Sequence, residues 1–351
     1  MGLFYLFFVF IFFQVALFQS FVVAFSIDQL KTERLGQLSS DKVVRMLKTG
    51  GVRKFFAPRK KTPFEYERVV TDPLYLQRVA QDTLDYIDRF EYTHKHVLEP
   101  VTFNSSILPL SKVRETLQFI VDVIENDKKR GKFRILDPKF ISRNFASIKW
   151  LGDYEHAKRN NDIFAQDGKV RLTHYAVFQI VGRYEKTKKY CKPLYCLPHE
   201  DEEAGGALAS TPLVWLTEKG YQDALMQGTV FVEMPDGVVR AFRLHLTQNM
   251  NDYKEMKKDD RRYYFCEIKG KYFERMYTRC IQRKGIVLAG DIYNVGIGKI
   301  IAFSYRNRKT NRLEMRLGVL ADTGGAFVKT VYKMDYFAGI FKNRENLRKH
   351  M

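Results

Sequence analysis

Cysteine, proline and acidic side chains are all scarce in this chain. Of 351 residues, 4 are Cys and 10 are Pro, and 40 Asp and Glu face 59 Lys and Arg. So few prolines, beside 22 glycines and 45% apolar residues, exclude a disordered or fibrous chain and indicate a globular one. The length suits one large core or two smaller ones, with two domains favoured. The shortage of acid leaves a net charge of +19 and a pI near 9.6, so the surface attracts something anionic. No nucleic-acid recognition motif accompanies the charge, so no specific nucleic-acid partner is expected. No internal repeat is present. Cys191, Cys196, Cys266 and Cys280 are an even set with three possible disulfide connectivities. Their spacing lacks the two matched half-sites of a zinc centre, and neither a metal nor an organic cofactor is expected. An acidic stretch from His199 to Gly206 has consecutive acids without the spacing that a cation site needs.

Residues 1–25, MGLFYLFFVFIFFQVALFQSFVVAF, contain no charged side chain at all. That is the signature of an export segment. Ala24 offers a cleavage point, yet the apolar run exceeds the ~18 residues that span a bilayer, so an uncleaved anchor is equally open. No cysteine lies near its end, so a lipid-modified terminus is not suggested. The expected location is therefore outside the cytoplasm, in a periplasm, outer membrane or other part of the cell envelope, with outer- or inner-membrane association possible.

Residues 26–165 read as a helical N-terminal region. Asp72-Pro73 starts one helix, with Asp as cap and Pro in the first turn, and Leu76, Val79, Thr83, Ile87 and Phe90 share a face. A second helix starts near Ser111, carries Val113, Leu117, Ile120, Val121 and Ile124 at helical spacing, and stops at Gly131. From about Val170 the texture becomes β-rich. Strands are predicted over Tyr175–Val181, Thr229–Glu233, Val238–Leu246, Gly298–Tyr305 and Leu313–Leu320, with a hairpin turn at Met234-Pro235-Asp236-Gly237.

One short stretch raises a chemical question: Leu320-Ala321-Asp322-Thr323-Gly324-Gly325. Asp-Thr-Gly is how an aspartic protease presents a carboxylate. Such an enzyme needs two carboxylates sharing a proton, one from each of two like lobes or subunits. The chain has one Asp-Thr-Gly, and Gly325 replaces the small Ala or Ser usual at that place, so the protease reading fails.

Asp291, Asp322 and Asp335 instead punctuate a strand-rich C-terminal part, in Ala289-Gly290-Asp291, Asp322-Thr323-Gly324 and Lys333-Met334-Asp335-Tyr336. Upstream lie Val181-Gly182-Arg183-Tyr184-Glu185, Lys192-Pro193-Leu194-Tyr195, Val214-Trp215-Leu216, Met226-Gln227-Gly228-Thr229-Val230 and Pro235-Asp236-Gly237. In this order, from about 180 to 340, these elements resemble the membrane-bound lytic murein transglycosylase A family with its three-aspartate double-psi β-barrel. Arg183 stands where a second aromatic is usual.

The resemblance implies a mainly β protein with an α-helical N-terminal region, in which a double-psi β-barrel (166–182 and 276–351) carries an inserted β-rich domain (183–275). A glycan would lie in the groove between them. It also implies an exported enzyme that cleaves the β-1,4 bond between N-acetylmuramic acid and N-acetylglucosamine in peptidoglycan without consuming water. Asp335 would be the acid and then the base; Asp322 is the other catalytic candidate, with a structural carboxylate fixing its turn as the favoured reading. Tyr184, Glu185, Gln227, Gly228, Thr323, Gly324 and Gly325 would bind substrate, and Asp291 would be structural. The acid needs a pKa above the ~3.9 of free Asp, which apolar neighbours such as Met334, Tyr336 and Phe337 can supply. Two other functions suit the same residues: a non-catalytic glycan-binding barrel, and a hydrolytic glycosidase with Glu185 as its second carboxylate.

Overall fold

The computed structural model describes residues 24–26, 40–59, 68–100, 108–162, 168–195, 212–247, 263–306 and 310–350. The apolar N-terminal run up to Val23, Cys196 and the acidic stretch 199–206 lie outside the described residues. Among those described, no helix is long and apolar enough to cross a membrane. Helices and sheet are both abundant, and the chain divides into two compact units. Of the described residues, the first takes those within Phe25–Tyr175 and Gln282–Phe337; the second takes Ala24 and those within Ala176–Ile281 and from Ala338 onward.

Short elements open the first unit: β1 (Ala24–Ser26), α1 (Ser40–Met46), β2 (Phe56–Arg59) and β3 (Arg68–Val69). The first long helix, α2 (Pro73–Phe90), begins where Asp72 accepts from the Leu74 and Tyr75 N–H groups at 2.9 and 3.0 Å. Proline in its first turn costs nothing, because that N–H has no helical partner. After the short α3 (Lys95–Leu98), α4 runs from Leu110 to Lys128, one residue earlier than the sequence suggests and capped by no side chain. Leu76, Val79 and Ile87 of α2 and Val113, Leu117, Ile120 and Ile124 of α4 are buried, and the two helices pack together. Gly131, with φ +66°, follows the end of α4 in a conformation that side chains disfavour. Then come α5 (Pro138–Asn144), β4 (Ser147–Trp150), which pairs antiparallel with β2, and α6 (Tyr154–Arg159).

The chain leaves the first unit within β5 (Arg171–Val181). The second unit holds β6 (Lys192–Tyr195), β7 (Pro212–Leu216), α7 (Glu218–Gln227), β8 (Thr229–Glu233), β9 (Val239–Thr247), β10 (Tyr263–Ile268) and most of α8 (Lys271–Gln282). The turn between β8 and β9 forms as the sequence suggests, with the Gly237 N–H donating to Met234 O at 2.9 Å. Two helices, α7 and α8, were read from the sequence only as part of a β-rich stretch. The start of α7 is capped by Thr217, and Gly228, at φ +66°, closes it. Gln227-Gly228 therefore ends a helix before the hairpin begins. Buried Asp223 of α7 holds Arg344 at the start of α10 (Arg344–His350).

Back in the first unit follow β11 (Val287–Ala289), α9 (Ile292–Val295), β12 (Ile300–Arg306), β13 (Leu313–Gly324) and the first half of β14 (Lys333–Phe341). Strand β13 is four residues longer than its predicted Leu313–Leu320 span, so Asp322 lies within a strand, two residues before its end, rather than in a turn. The strand order in this part of the sheet is β1-β13-β11-β14-β5, with β12 and β3 also on β13, and it remains an open path among the described residues. One face of these strands presents Leu172, Leu288, Leu320 and Met334 to a core shared with Val52, Phe55, Trp150 and Tyr293.

Candidate active site

Strand β11 is only three residues long, and its neighbours define the site. It runs parallel to β13 and antiparallel to β14. Ala289 stands opposite Asp335 on one side and Asp322 on the other. Two strand spacings, roughly 9.6 Å, separate the two aspartates along the sheet.

A bulge puts both on one face. Leu288 pairs with Leu320, but the next residue, Ala289, pairs with Asp322, so β13 carries one extra residue, Ala321. Without it, Asp322 would share the core-facing side of Leu320, because side chains alternate along a strand. The extra residue turns Asp322 to the side of Ala289 and Asp335.

Strand β5 supplies a hydroxyl for each carboxylate. Thr173 Oγ1 donates to Asp335 Oδ1, and Tyr175 Oη donates to Asp322 Oδ2 at 2.6 Å. On a flat sheet β5 and β13 would stand roughly 14 Å apart. A 2.6 Å bond between their side chains requires the intervening strands to curl, with both carboxylates on the inner side. The Tyr175 ring lies 5.2 Å from that of Phe337, on the same side. His174, between the two hydroxyl residues, points the other way and meets Tyr336 at 5.7 Å.

The two aspartates differ in access. Asp322 is 3% exposed and also accepts from the Thr323 N–H at 2.8 Å, while Thr323 Oγ1 donates to Gly290 O at 2.7 Å. Asp335 is half-buried, as is Lys333 two residues earlier. Burial holds the Lys333 ammonium below the usual lysine range, and the charge of Asp335 acts against that shift.

Asp291 does different work. It caps α9 by accepting from the Asn294 N–H at 3.3 Å, and the Asn294 side chain donates to its other oxygen at 2.8 Å. Asn294 is tied in turn to the chain after α1, accepting from the Lys48 N–H at 2.8 Å and donating to Met46 O at 3.1 Å. Asp291 is 1% exposed, and burial pushes its pKa up to about 7 despite the bonds from Asn294.

The sequence-predicted residues thus fall into separate groups. Asp322, Thr323, Gly324 and Asp335 share the first unit with Asp291; Gly324 is buried and Gly325 exposed. Tyr184, Glu185, Gln227 and Gly228 belong to the second unit. Tyr184 is 52% exposed and donates to Asp236 Oδ2 at 2.6 Å, and Glu185 is exposed. Gln227 is 8% exposed, held at the end of α7. Thr173 and Tyr175 escaped the sequence reading. The signal that could have found them is the alternation Thr173-His174-Tyr175 at the head of a strand, two hydroxyls on one face. Among the described residues, no three His, Cys, Asp or Glu side chains gather as a metal site would require.

No family model and no curated protein matches the chain. Among solved structures, it is similar to lytic murein transglycosylases. One is the membrane-bound lytic murein transglycosylase from Agrobacterium tumefaciens, at 12% identity over 77% of this chain and 87% of that one, with a TM-score of 0.48. Two others are MltA of E. coli with bound chitohexaose (15% identity, 84% and 90% covered, TM-score 0.45) and MltA of Neisseria gonorrhoeae (13% identity, 84% and 93% covered, TM-score 0.42).

Proposed function

We propose that this chain is an exported lytic transglycosylase that cleaves the β-1,4 link between N-acetylmuramic acid and N-acetylglucosamine in peptidoglycan. The observation that carries the reading is the pair of inward-facing carboxylates, each bonded to a hydroxyl of β5, of which only Asp335 is open enough to meet a substrate. Asp335, protonated, donates to the glycosidic oxygen as the bond from that oxygen to C1 breaks. Its carboxylate then takes the proton of the sugar's own 6-hydroxyl, whose oxygen bonds to C1 and closes a 1,6-anhydro ring. The proton given is the proton regained, and no water is consumed, so a single carboxyl serves as acid and then base. Thr173 fixes the orientation of that carboxyl. Asp322, buried and bonded to Tyr175, holds the inner face in shape. Tyr184, Glu185 and Gln227 are proposed to bind the glycan.

The test is to incubate the protein and its Asp335→Asn variant with purified sacculi and weigh the released fragments by mass spectrometry. Anhydro-ended muropeptides from the wild type alone are expected. Reducing-ended products would make the protein a hydrolase, and binding without release by either protein would leave a glycan-binding barrel.

A further inference from the structure

Between β5 and β6 the second unit carries an unusual loop, Gly182-Arg183-Tyr184-Glu185-Lys186-Thr187-Lys188-Lys189-Tyr190-Cys191. With Lys192 it presents five cations against a single acid, Glu185. The loop is built, not trailing. Arg183 and Trp215 exchange backbone hydrogen bonds at 3.0 and 2.8 Å, which pins its base to β7. Its tip closes on itself, with the Thr187 N–H donating to Tyr190 O and the Tyr190 N–H to Thr187 Oγ1, both at 3.0 Å.

Aromatic rings lie under three of the five cations. The Arg183 guanidinium stands 5.0 Å from the centre of the Tyr190 ring, Lys189 Nζ 5.7 Å from the same ring, and Lys186 Nζ 5.7 Å from that of Trp215. Lys192 is matched by Glu218 at 3.0 Å, and Tyr184 takes up Asp236. Among the described residues, no carboxylate pairs with Lys186, Lys188 or Lys189, and all three are exposed. Cations seated on rings stay positioned while leaving their outward N–H groups for an anion. The same loop carries Tyr184, a proposed sugar-binding residue, so the anion it meets is one attached to the glycan.

We propose that this loop binds the carboxylates of the peptides that branch from the glycan strand, so that the protein prefers peptide-bearing peptidoglycan over bare glycan. This rests on the glycan reading of the same unit and names the substrate feature that its charge selects. Lys186, Lys188 and Lys189 take the carboxylates, while Trp215 holds Lys186 and Tyr190 holds Lys189 in place.

The test compares wild type with a Lys186→Gln, Lys188→Gln, Lys189→Gln triple variant and a matching triple Arg variant. Each is bound to intact sacculi and to glycan strands stripped of peptide by an amidase, at low and high salt. The Gln variant should bind sacculi roughly tenfold more weakly at low salt, as three exposed charge pairs in the usual range would give. The difference should shrink at high salt, the Arg variant should bind like wild type, and bare strands should be bound equally by all three. Equal binding of sacculi by wild type and Gln variant would overturn the proposal, and so would an equal loss on bare strands. Displacement of the wild type from sacculi by a single-stranded nucleic acid at lower concentration than by free stem peptide would overturn it in favour of a nucleic-acid surface. Binding preference is read without catalysis, so a failure of the transglycosylase reading appears separately, as the absence of anhydro ends from either substrate.

Discussion

Replacing Asp291 by Asn isolates the energetic effect of one buried carboxyl. Burial raises its pKa from 3.8 to about 7 in the folded protein, with the bonds from Asn294 and the Lys48 charge pulling the other way. A carboxyl with a raised folded pKa favours folding below its unfolded pKa, and that contribution is lost as pH rises through the folded value. The contribution of Asp291 to stability should therefore fall between about pH 4 and pH 7. A rise from 3.8 to about 7 corresponds to about 4 kcal/mol, from about 1.4 kcal/mol for each tenfold change in proton affinity. Asn keeps an oxygen to accept from the Asn294 N–H, so the cap of α9 survives; the Asn294 side chain loses its acceptor, a cost that does not vary with pH and leaves the pH dependence to report the titration. Urea unfolding of both proteins at steps across that range is the assay. The difference between the two unfolding free energies should change by several kcal/mol in the variant's favour as pH rises, then level off. Parallel profiles across the range would refute the reasoning, because they would mean that Asp291 is ionised in the fold throughout.

Tyr175→Phe removes the 2.6 Å bond to a buried carboxylate and should cost about 1.5–3 kcal/mol of stability, measured by denaturant unfolding. The same variant should lose sacculus-cleaving activity, and full activity would refute a role for Asp322 in shaping the site. Arg344→Ala strips the partner from Asp223, whose side chain is 2% exposed, and should destabilise the second unit. Because the Arg344 side chain is itself 38% exposed, the low end of the buried-pair range applies, about 3 kcal/mol, to be checked by thermal unfolding.

Much of the chain's local structure was legible in its residues. Asp72-Pro73 fixed the start of α2, because a carboxylate satisfies N–H groups that the first turn leaves open and proline has none to lose there. The Met234–Gly237 turn and β8 follow from glycine's tolerance of positive φ and from β-branched and aromatic runs on either side. The basic charge, the three aspartates and their order were equally plain.

What the residues alone did not reveal was which way each aspartate faces. Asp322 follows Leu320 by two positions, and simple alternation would send both toward the same apolar core. The bulge at Ala321 reverses this, and a bulge exists only in the pairing of two strands more than thirty residues apart in sequence. Tyr175 and Asp322 lie 147 residues apart, and Thr173 and Asp335 lie 162 apart. No local signal encodes either contact, because both arise from the curl of a sheet assembled from strands before and after a long insertion. The sequence by itself determined which groups are available and which short elements hold them. Only the tertiary structure decided that two carboxylates and two hydroxyls face one another, because register and curvature belong to strand pairs, not to strands.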